Sequence, residues 1–382
     1  MADLMKSAFR FVLCASVVSL AGCGGSGGGT STTPPVQAAT PTISAATTAN
    51  TQNGAQMVTL TTTTSGASIH YTIDGTTPTT TSIIYETPFL VASNLTVNAI
   101  ATASGDTNSS VATKVFAPSI ASGTLVWSDE FANSTSANAQ PNASVWTYDT
   151  GTDCCGNNEL ETYCAWGSAS APCSTTTPNA FVAPGGGLDI VAENPSGTVY
   201  TSARLKTEGL FSFQYGRIEA NILLPESQGM WPAFWLLGNN IVTENWPACG
   251  EADIMEHIDG SNTPFGGPGS GSAPGYDWTQ SSIHGTNLNG GTPYTVTGFS
   301  AATWHKYGMI WSKGQVQYYV DDPSNVYETF TPTSQTGTWP FDQGPQFVIL
   351  NLAVGGTWPG NPNSTTVFPS TMQVEYVRVY AN

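Results

Sequence analysis

Apolar and polar residues alternate with a period of two along much of this chain, which is typical of β-strands that bury one face. The clearest alternating stretches in the C-terminal part are GRIEANILL, HKYGMIWS, QVQYYVDD, FVILNLAV and MQVEYVRVYAN. No long stretch carries apolar residues at helical spacing. Many strands joined by turn-rich segments predict a large antiparallel β-sandwich over residues 119–382.

A second β region precedes this one. Residues 40–118 contain MVTLTTTT, SIHYTI and LTVNAIATA, which also alternate and are separated by turn residues. The 40 glycines and 25 prolines among 382 residues favour turns and strands over helices. We therefore expect an all-β protein in which a small accessory β-sandwich comes before the large one.

The N-terminus has the features of an export signal. Lys6 and Arg10 precede an apolar run from Phe11 to Leu20, which is too short to span a bilayer as a stable anchor. The run ends in LAGC, which resembles the lipobox of bacterial lipoproteins and implies cleavage before Cys23 and lipidation of its thiol. An ordinary secretory signal with an incidental cysteine is the alternative.

This interpretation divides the chain into four parts. They are a signal peptide over residues 1–22, a flexible Gly/Ser/Thr/Pro linker over 23–39, the accessory module over 40–118 and the large domain over 119–382. Gly24, rather than an aspartate, follows the cysteine, which in Gram-negative lipoproteins implies export to the outer membrane. We expect a lipoprotein that is anchored at the outer membrane or cell surface.

The chain is acidic and poor in charge. It has 9 Lys and Arg residues against 26 Asp and Glu residues, a formal net charge of −17. Binding to nucleic acid relies on clustered Lys and Arg that displace counterions from phosphates, so this composition argues against a nucleic-acid partner. A neutral polysaccharide is not repelled by an acidic protein. We expect the protein to be a monomer.

The seven cysteines divide into three groups. Cys14 leaves with the signal peptide and Cys23 carries the lipid, whereas Cys249 stands alone. The other four crowd one loop, where an oxidising compartment favours disulfides: Cys154, Cys155, Cys164 and Cys173. Because a bridge between adjacent cysteines is strained, we expect Cys154 and Cys155 each to bond Cys164 or Cys173. A zinc site is the alternative.

One segment concentrates the scarce charge. PACGEADIMEHIDG, residues 247–260, places Glu251, Asp253 and Glu256 among apolar residues. On a regular strand Glu251 and Asp253 share a face, but Glu256, five positions from Glu251, falls on the other face. One extra residue, a β-bulge near Ile254–Met255, restores the parity and brings all three carboxylates to one side.

Three carboxylates on one face supply the groups that hydrolyse a glycosidic bond. If the side chains of Glu251 and Glu256 lean together, their carboxyl groups come to about 5 Å, the separation found in retaining glycosidases. Crowded carboxylates resist simultaneous ionisation, so one keeps its proton and can act as the general acid. The alternative is an exposed strand face that is merely acidic.

The segment GEADIMEHIDG resembles the active-site strand of glycoside hydrolase family 16 in its bulged form, Glu-x-Asp-x-x-Glu. The resemblance covers nearly all of residues 123–382 and is closest to the bacterial laminarinases, which are endo-acting on β-1,3-glucans. The matching stretches fall in the family's order: LVWSDEF, NNELETY, YTSARLKTEGLFSFQYGRIEANILLP, QGMWPAFWLLG, IHG, WHKYGMIWS, FVILNLAVGGTWPG and VEYVRVY. IHYTIDGTTPTTTSIIYETPF resembles the C-terminal β-sandwich repeat of chitobiase and β-hexosaminidase-type enzymes.

The family resemblance implies a concanavalin A-like jelly-roll β-sandwich and assigns the acidic residues. By that match Glu251 is the nucleophile, Asp253 its electrostatic partner and Glu256 the acid/base. Ala252 stands where Ile or Val is commoner, on the buried face. The alternatives are a mixed-linkage β-1,3-1,4-glucanase, an agarase or carrageenase of the same family and, from another class, a β-glucan-binding lipoprotein without catalysis.

Several residues are candidates for binding the sugar. Trp231 and Trp235 are four positions apart and share a strand face, and indole rings suit the C–H surface of a pyranose. A histidine beside the cleft is expected at His284 and is less favoured at His257, since a lone histidine is more often structural. The resemblance implies further cleft residues: Asn158, Glu159, Arg204, Trp246 and Trp358.

No cofactor is expected for catalysis. The resemblance implies one structural Ca²⁺ on the convex face, with ligands from backbone carbonyls and from an acid in the last strand. The matching positions are Glu130, Gly187 and Glu375, where Glu375 replaces the usual Asp. Hard oxygen ligands of this kind suit Ca²⁺.

Overall fold

The computed structural model describes residues 35–152, 156–225, 227–258 and 278–382, and their regular structure is almost entirely β. The accessory module forms one sheet of three strands and one of four, which enclose their own apolar core around Tyr71 and Phe89. The predicted small β-sandwich is therefore confirmed. Its strands are β1 Thr42–Ala46, β2 Gln56–Thr61, β3 Ser68–Thr72, β4 Ile83–Ile84, β5 Phe89–Val91, β6 Leu95–Thr102 and β7 Ala112–Phe116.

The described part of the large domain consists of many strands and one helix of a single turn, α1 Ile241–Glu244. The strands are β8 Leu125–Asp129, β9 Thr147–Asp149, β10 Gly151–Thr152, β11 Glu161–Tyr163, β12 Ala180–Val182, β13 Leu188–Ala192, β14 Tyr200–Ser202, β15 Arg204–Lys206, β16 Gly216–Leu223, β17 Met230–Gly238, β18 Glu251–Glu256, β19 Thr279–Gly285, β20 Leu288–Tyr294, β21 His305–Ser312, β22 Gln315–Val320, β23 Val326–Phe330, β24 Gln346–Val354 and β25 Ser370–Tyr380.

These strands form two large sheets that share one core. The eight-stranded sheet has the order β12-β13-β25-β16-β21-β22-β23, with β8 also on β25, and the seven-stranded sheet has the order β20-β19-β18-β17-β24-β15-β9. A third, small sheet has the order β10-β11-β14. The predicted antiparallel β-sandwich is confirmed.

The period of two in β17 decides what faces the core. Phe234 and Leu236 are fully buried in the core between the sheets. Trp231, Ala233 and Trp235 lie on the opposite face of the same strand, because successive side chains of a strand point to opposite sides. The outer face of the seven-stranded sheet therefore carries tryptophans, and it is also the face that carries the acidic residues of β18.

The accessory module packs directly on the large domain. Met57 and Leu90 of the module belong to the core cluster of the large domain. The Leu90 N–H donates to the carbonyl of Ser212 over 2.8 Å, and the Gln52 N–H donates to the carbonyl of Val126 over 2.9 Å. A tethered module joined only by a linker lacks such contacts, so the two units share part of one core.

The disulfide prediction is wrong where it can be checked. Cys164 is bonded to Cys173 rather than to Cys154 or Cys155, with a Cα–Cα distance of 5.6 Å. The turns between these two residues bring them within bonding reach, which the sequence alone does not reveal. Cys154 and Cys155 lie outside the described residues. Cys249 is buried without a disulfide.

The predicted signal peptide, most of the linker and Cys23 also lie outside the described residues. Among the described residues, no helix has the length and apolar character needed to cross a membrane.

The shared core predicts that both units unfold together. Leu90→Ala removes a buried side chain from the contact and should lower the free energy of unfolding by about 2–4 kcal/mol. Differential scanning calorimetry should show one transition that moves to lower temperature as a whole. Val115→Ala, at a position that is 70% exposed on β7, is the control and should leave the transition in place. Two separate transitions, of which only one shifts in Leu90→Ala, would contradict the shared core.

Candidate active site

The acidic residues of β18 lie on one face because the strand contains a β-bulge. Asp253 pairs with Trp235 and Glu251 with Leu237, but Glu256 pairs with Ala233, so the register shifts by one residue between them. A matching shift appears on the other side of β18, where Asp253 pairs with Ser282 of β19 but Glu256, three residues later, pairs with Gln280, only two residues away. The bulge predicted near Ile254–Met255 is confirmed.

The bulge is held in place from the core side. Ala252, Ile254 and Met255 are at most 2% exposed and belong to the main core cluster. Two consecutive apolar side chains therefore enter the core at the point where the alternation is interrupted. Asp253 is only 4% exposed, so it lies at the base of the acidic face between the two glutamates.

Each glutamate accepts a hydrogen bond from an indole. Trp246 Nε1 donates to Glu251 Oε2 over 3.0 Å, and Trp231 Nε1 donates to Glu256 Oε1 over 3.0 Å. An indole N–H can only donate, so each contact needs an unprotonated carboxyl oxygen at that position. The sequence predicts Trp231 as a stacking platform and Trp246 as a cleft residue, and the structure adds for both a role in orienting the carboxyl groups.

His284 and Ser282 of β19 link the three acids. His284 Nε2 lies 3.2 Å from Asp253 Oδ2 and 3.7 Å from Glu251 Oε1. Ser282 Oγ lies 2.6 Å from Asp253 Oδ2 and 3.1 Å from Glu256 Oε2. The sequence suggests His284, but Ser282 is missed because its position depends on the register in which β19 pairs with β18.

The charges in this cluster shift one another. Burial raises the pKa of both Glu251 and Glu256, and the charge of Asp253 raises both further, while His284 opposes the rise. Burial alone would lower the pKa of His284, but its hydrogen bond to Asp253 and the surrounding carboxylates raise it to about 9. His284 is therefore a cation at neutral pH, and the acidic cluster holds at least one proton.

The hydroxyl of Ser282 lies between two of the acids. A serine has one hydrogen to donate, and Ser282 Oγ is within donating distance of both Asp253 Oδ2 and Glu256 Oε2. The cationic His284 lies beside Asp253 and Glu251 and favours the ionised form of the acids around it. Because the acids are this close, the retained proton belongs to the coupled cluster and not to one carboxyl group.

Arg204 and Trp235 lie beside this cluster on the same face of the sheet. The guanidinium carbon of Arg204 is 4.5 Å from the centre of the Trp235 ring, and Arg204 Nε contacts Asp149 Oδ2 over 2.9 Å. Trp235 is only 9% exposed and donates to Asn351 Oδ1 over 2.8 Å. The expectation that Trp235 presents an open face for stacking thus gives way to a role in supporting Arg204.

A cavity of about 290 Å³ opens next to Arg204, near the lower end of the usual size for a ligand pocket. Its charged lining is neutral overall and its floor is apolar, which suits a ring with hydroxyl groups on its edge. The lining residues include Asp149, Lys206, Glu208, Leu237, Phe347 and Ile349. The sequence does not identify Asp149, Lys206 or Glu208 as site residues, because their proximity follows from the pairing of β9, β15 and β24.

Trp246 and Trp358 stand on either side of the acidic cluster. Trp246 is 47% exposed, so one ring both orients Glu251 and remains available to a ligand. Trp358 is half-buried and contacts Trp231 edge to face, with ring centroids 5.3 Å apart. Both therefore lie where the sequence predicts cleft residues.

The loop of the NNELETY stretch lies under residues 355–360, the segment that carries Trp358 and is called the Trp358 turn below. Asn158 is exposed there, with a φ of 60°. The Glu159 carboxylate accepts from the Asn157 amide over 3.1 Å and from the Tyr163 hydroxyl over 3.2 Å. His257 is 1% exposed, and its Nδ1 lies 2.9 Å from the carbonyl of Trp278, so it supports the fold beneath the cleft.

Two groups of residues are relevant to metal binding. Donor atoms of Glu251, Asp253 and His284 lie within 4.8 Å of one another and could hold a cation. The positions matched to a structural Ca²⁺ are otherwise engaged: Glu130 forms a two-point contact with the Arg378 guanidinium, and Glu375 accepts from the Asn221 amide over 2.6 Å. The Gly187 carbonyl accepts from the N–H of Ala183.

Cys249 precedes the acidic strand, but its thiol is unreactive. Burial, with a smaller contribution from the charge of Glu251, raises the pKa of its thiol to about 12. The thiol therefore stays protonated at neutral pH and offers no second nucleophile.

Two family descriptions match the chain. Residues 47–114 match the chitobiase/beta-hexosaminidase C-terminal domain, and residues 168–378 match glycosyl hydrolases family 16. The second match includes β18 and the strands on both sides of it.

Two curated relatives are similar to the large domain. A beta-glucanase of Rhodothermus marinus is 36% identical over 268 residues, which cover 67% of this chain and 84% of that protein. Glucan endo-1,3-beta-glucosidase A1 of Niallia circulans is 33% identical over 287 residues, 69% of this chain but only 38% of that longer protein.

Solved structures show the same sandwich. The laminarinase catalytic domain of Thermotoga maritima MSB8 aligns with a TM-score of 0.54 at 33% identity, over 68% of this chain and 98% of that one. A non-specific endo-β-1,3(4)-glucanase of family 16, with 1,3-β-D-cellobiosyl-glucose at its active site, aligns with a TM-score of 0.53 at 30% identity, over 69% and 97%. The family match over more than half of the chain and these relatives show that the chain belongs to glycosyl hydrolase family 16.

Proposed function

We propose that this protein is a retaining endo-β-1,3-glucanase of the laminarinase type. The observation that carries the proposal is the bulged strand β18, which presents Glu251 and Glu256 on one face, each accepting a hydrogen bond from an indole. Relatives that act on β-1,3-glucan support the linkage. The extra residue in β18 also supports it, since mixed-linkage enzymes of the lichenase type usually lack it.

The reaction proceeds in two displacements. Glu251 attacks the anomeric carbon with a carboxylate oxygen while the bond to the leaving oxygen breaks, and Glu256 transfers its proton to that oxygen. Glu256, now ionised, then removes a proton from water, and the water oxygen displaces Glu251 from the anomeric carbon. Glu256 regains its proton and Glu251 its charge, so the configuration is retained and the enzyme is regenerated.

The surrounding residues prepare these steps. His284 favours the charge on Glu251 before attack, and Trp246 holds one oxygen of Glu251 so that the other faces the sugar. Asp253 keeps His284 protonated and receives the Ser282 hydrogen. Asp149, Arg204 and Lys206 offer donors and acceptors for hydroxyl groups of further sugar residues along the sheet.

No step of this mechanism uses a metal or a cofactor. For the structural Ca²⁺ implied by the family, the matched acid of the last strand is Glu375, whose carboxylate accepts a hydrogen bond from the Asn221 amide. Glu130 and Gly187 are matched through their backbone carbonyls, and the Gly187 carbonyl accepts from the N–H of Ala183. We assign calcium no role here.

We also propose that the protein acts as a monomer anchored by a lipid on Cys23 at the outer membrane or cell surface. The support is the lipobox-like LAGC after a short apolar run. A polysaccharide too large to enter the cell needs an enzyme on the outside, which fits this location.

The catalytic pair is tested by substitution. Glu251→Gln and Glu256→Gln keep the size of each side chain but remove the attacking charge or the transferable proton, so each should lower laminarin hydrolysis at least about 1,000-fold. Reducing-sugar release from laminarin, barley glucan and agarose measures the loss and the linkage preference. NMR of the first product should show the β-anomer.

The control for this pair is Glu244→Gln, at an exposed position of α1. It should keep full activity, and all three variants should keep the circular dichroism of the wild type. Full activity in either catalytic variant, or release of the α-anomer, would rule out the assignment.

The role of His284 is tested by pH. His284→Gln keeps a hydrogen-bond donor near Asp253 but removes the positive charge beside Glu251, so the pKa of Glu251 should rise. Because attack needs the ionised form, the acidic limb of the kcat/KM profile should move to higher pH by about one unit. An unchanged limb, with activity lowered equally at every pH, would assign His284 to substrate contact instead.

The lipid anchor is tested by Cys23→Ser. The wild type should partition with membranes and be released only by detergent, while the variant cannot carry a diacyl group and should lose this behaviour. Laminarin hydrolysis by whole cells should fall as enzyme leaves the surface. Identical partitioning of both proteins would favour an ordinary secretory signal.

A further inference from the structure

A second pair of acids lies under the cleft and has no part in the mechanism above. Glu161 of β11 is 1% exposed, and its Oε2 accepts from the N–H of Val354 over 2.7 Å. Glu159, two positions away, acts on it with its charge. Neighbouring carboxyl groups that are shielded from water resist simultaneous ionisation, so burial favours a proton on one of them.

The segment that holds this pair also holds the Trp358 turn. Leu160 N–H donates to the carbonyl of Val354 over 2.8 Å, and Thr357 N–H donates to the carbonyl of Asn157 over 2.9 Å. Together with the bond from Val354 to Glu161, three hydrogen bonds join residues 157–161 to residues 354–357. Trp358 directly follows these anchored residues.

Close packing makes this attachment rigid. Gly355 has a φ of 71°, and a Cβ there would lie 2.7 Å from the side chain of Leu160. Only glycine permits this approach in this conformation. The Trp358 turn therefore cannot shift without disturbing the segment beneath it.

The turn reaches the chemistry through two aromatic rings. Trp358 contacts Trp231 edge to face, and Trp231 donates to Glu256. A displaced Trp358 removes one wall from the ring that orients the acid/base and one platform from the sugar. The segment that holds the acid pair is thus linked to Glu256 through residues 354–358 and two indole rings.

We propose that Glu161 is a positioning residue whose buried carboxyl group, through its hydrogen bond with the N–H of Val354, holds the Trp358 turn in the shape that binds substrate. This inference rests on the proposed function of the same site. The residues of the pair are not themselves required to touch the reacting atoms.

The charged and titratable groups around Glu161 agree with a retained proton. They are Glu159, the buried Tyr163 hydroxyl and Arg204, which acts on Tyr163 and also contacts Asp149. Burial, followed by the charge of Glu159, raises the pKa of Glu161 from its usual 4.5 to about 8. The folded protein therefore keeps a proton that the unfolded chain has lost above pH 4.5.

Proton binding at Glu161 makes the stability of the folded protein depend on pH. Between about pH 4.5 and pH 8 the folded state binds more protons at Glu161 than the unfolded state, so this group makes stability fall as pH rises. Above pH 8 the pair becomes doubly charged, and repulsion between Glu159 and Glu161 should loosen the turn. Substrate binding should weaken over the same range.

The test is Glu161→Gln, whose neutral amide supplies both a donor and an acceptor at every pH. Its melting temperature relative to the wild type should rise by roughly 4 °C between pH 5 and pH 9. The KM of the wild type for laminarin oligosaccharides should increase about three- to tenfold more than that of Glu161→Gln between pH 7 and pH 9, with similar kcat values. The ratio of the KM values of the two proteins cancels the titration of Glu251 and Glu256, because both proteins contain these residues.

Two further variants complete the experiment. Glu244→Gln, on the exposed helix, should show no change in relative melting temperature with pH. Glu159→Gln removes the repelling charge from the other side and should weaken the pH dependence in the same direction as Glu161→Gln, which keeps the test available if Glu161→Gln folds poorly.

A difference in melting temperature that stays constant from pH 5 to pH 9 in both variants would overturn the inference. Because the melting measurement needs no turnover, it is independent of the proposed function. If laminarin is not hydrolysed, the proposed function fails while the thermal result still decides whether Glu161 holds a proton.

Discussion

One extra residue in β18 is the constraint on which the active site depends. Without it, Glu256 points into the core and Glu251 points out, because side chains alternate along a strand. The bulge reverses that parity after Asp253, and the core accepts Ile254 and Met255 on the same side. The chemistry on one face is thus fixed by apolar packing on the other, and a change in the core residues would disturb catalysis without touching the substrate.

The chain stabilises buried carboxyl groups mainly with protons and N–H or O–H donors rather than with many cations. It has only 9 Lys and Arg residues for 26 Asp and Glu residues, and Arg204, Lys206, Arg217 and Arg378 are engaged in ion pairs elsewhere. At β18 the available groups are two indoles, a serine and one protonated histidine. Such an environment raises carboxyl pKa values, which is what a general acid at neutral pH requires. At Glu161, too, the contact of the buried carboxyl group is with a neutral donor, the N–H of Val354.

Much of this arrangement can be predicted from the sequence, and the limits have a physical cause. Alternation within one strand reveals β18, its bulge and the two faces of β17, because these depend only on local parity. Ser282, Asp149 and Glu161 are not found, since their roles depend on which strands pair and in which register. The disulfide prediction fails for the same reason: Cys164 and Cys173 meet through the course of a loop, which spacing does not describe. The sequence also places Trp235 on the same strand face as Trp231, but it does not reveal that Arg204 covers the Trp235 ring.

The accessory module changes how the large domain should be understood. A module that only tethers an enzyme to a surface gains from a free linker, because mobility extends its reach. Here Met57 and Leu90 enter the core of the large domain, and a main-chain hydrogen bond joins Leu90 to Ser212. Ser212 in turn lies next to Phe213, which pairs with Gln346 at the start of β24. Because β24 runs on from Gln346 through Asn351 to the Trp358 turn, the module braces one end of the strand whose other end carries the cleft wall. These contacts join the module and the cleft into one body.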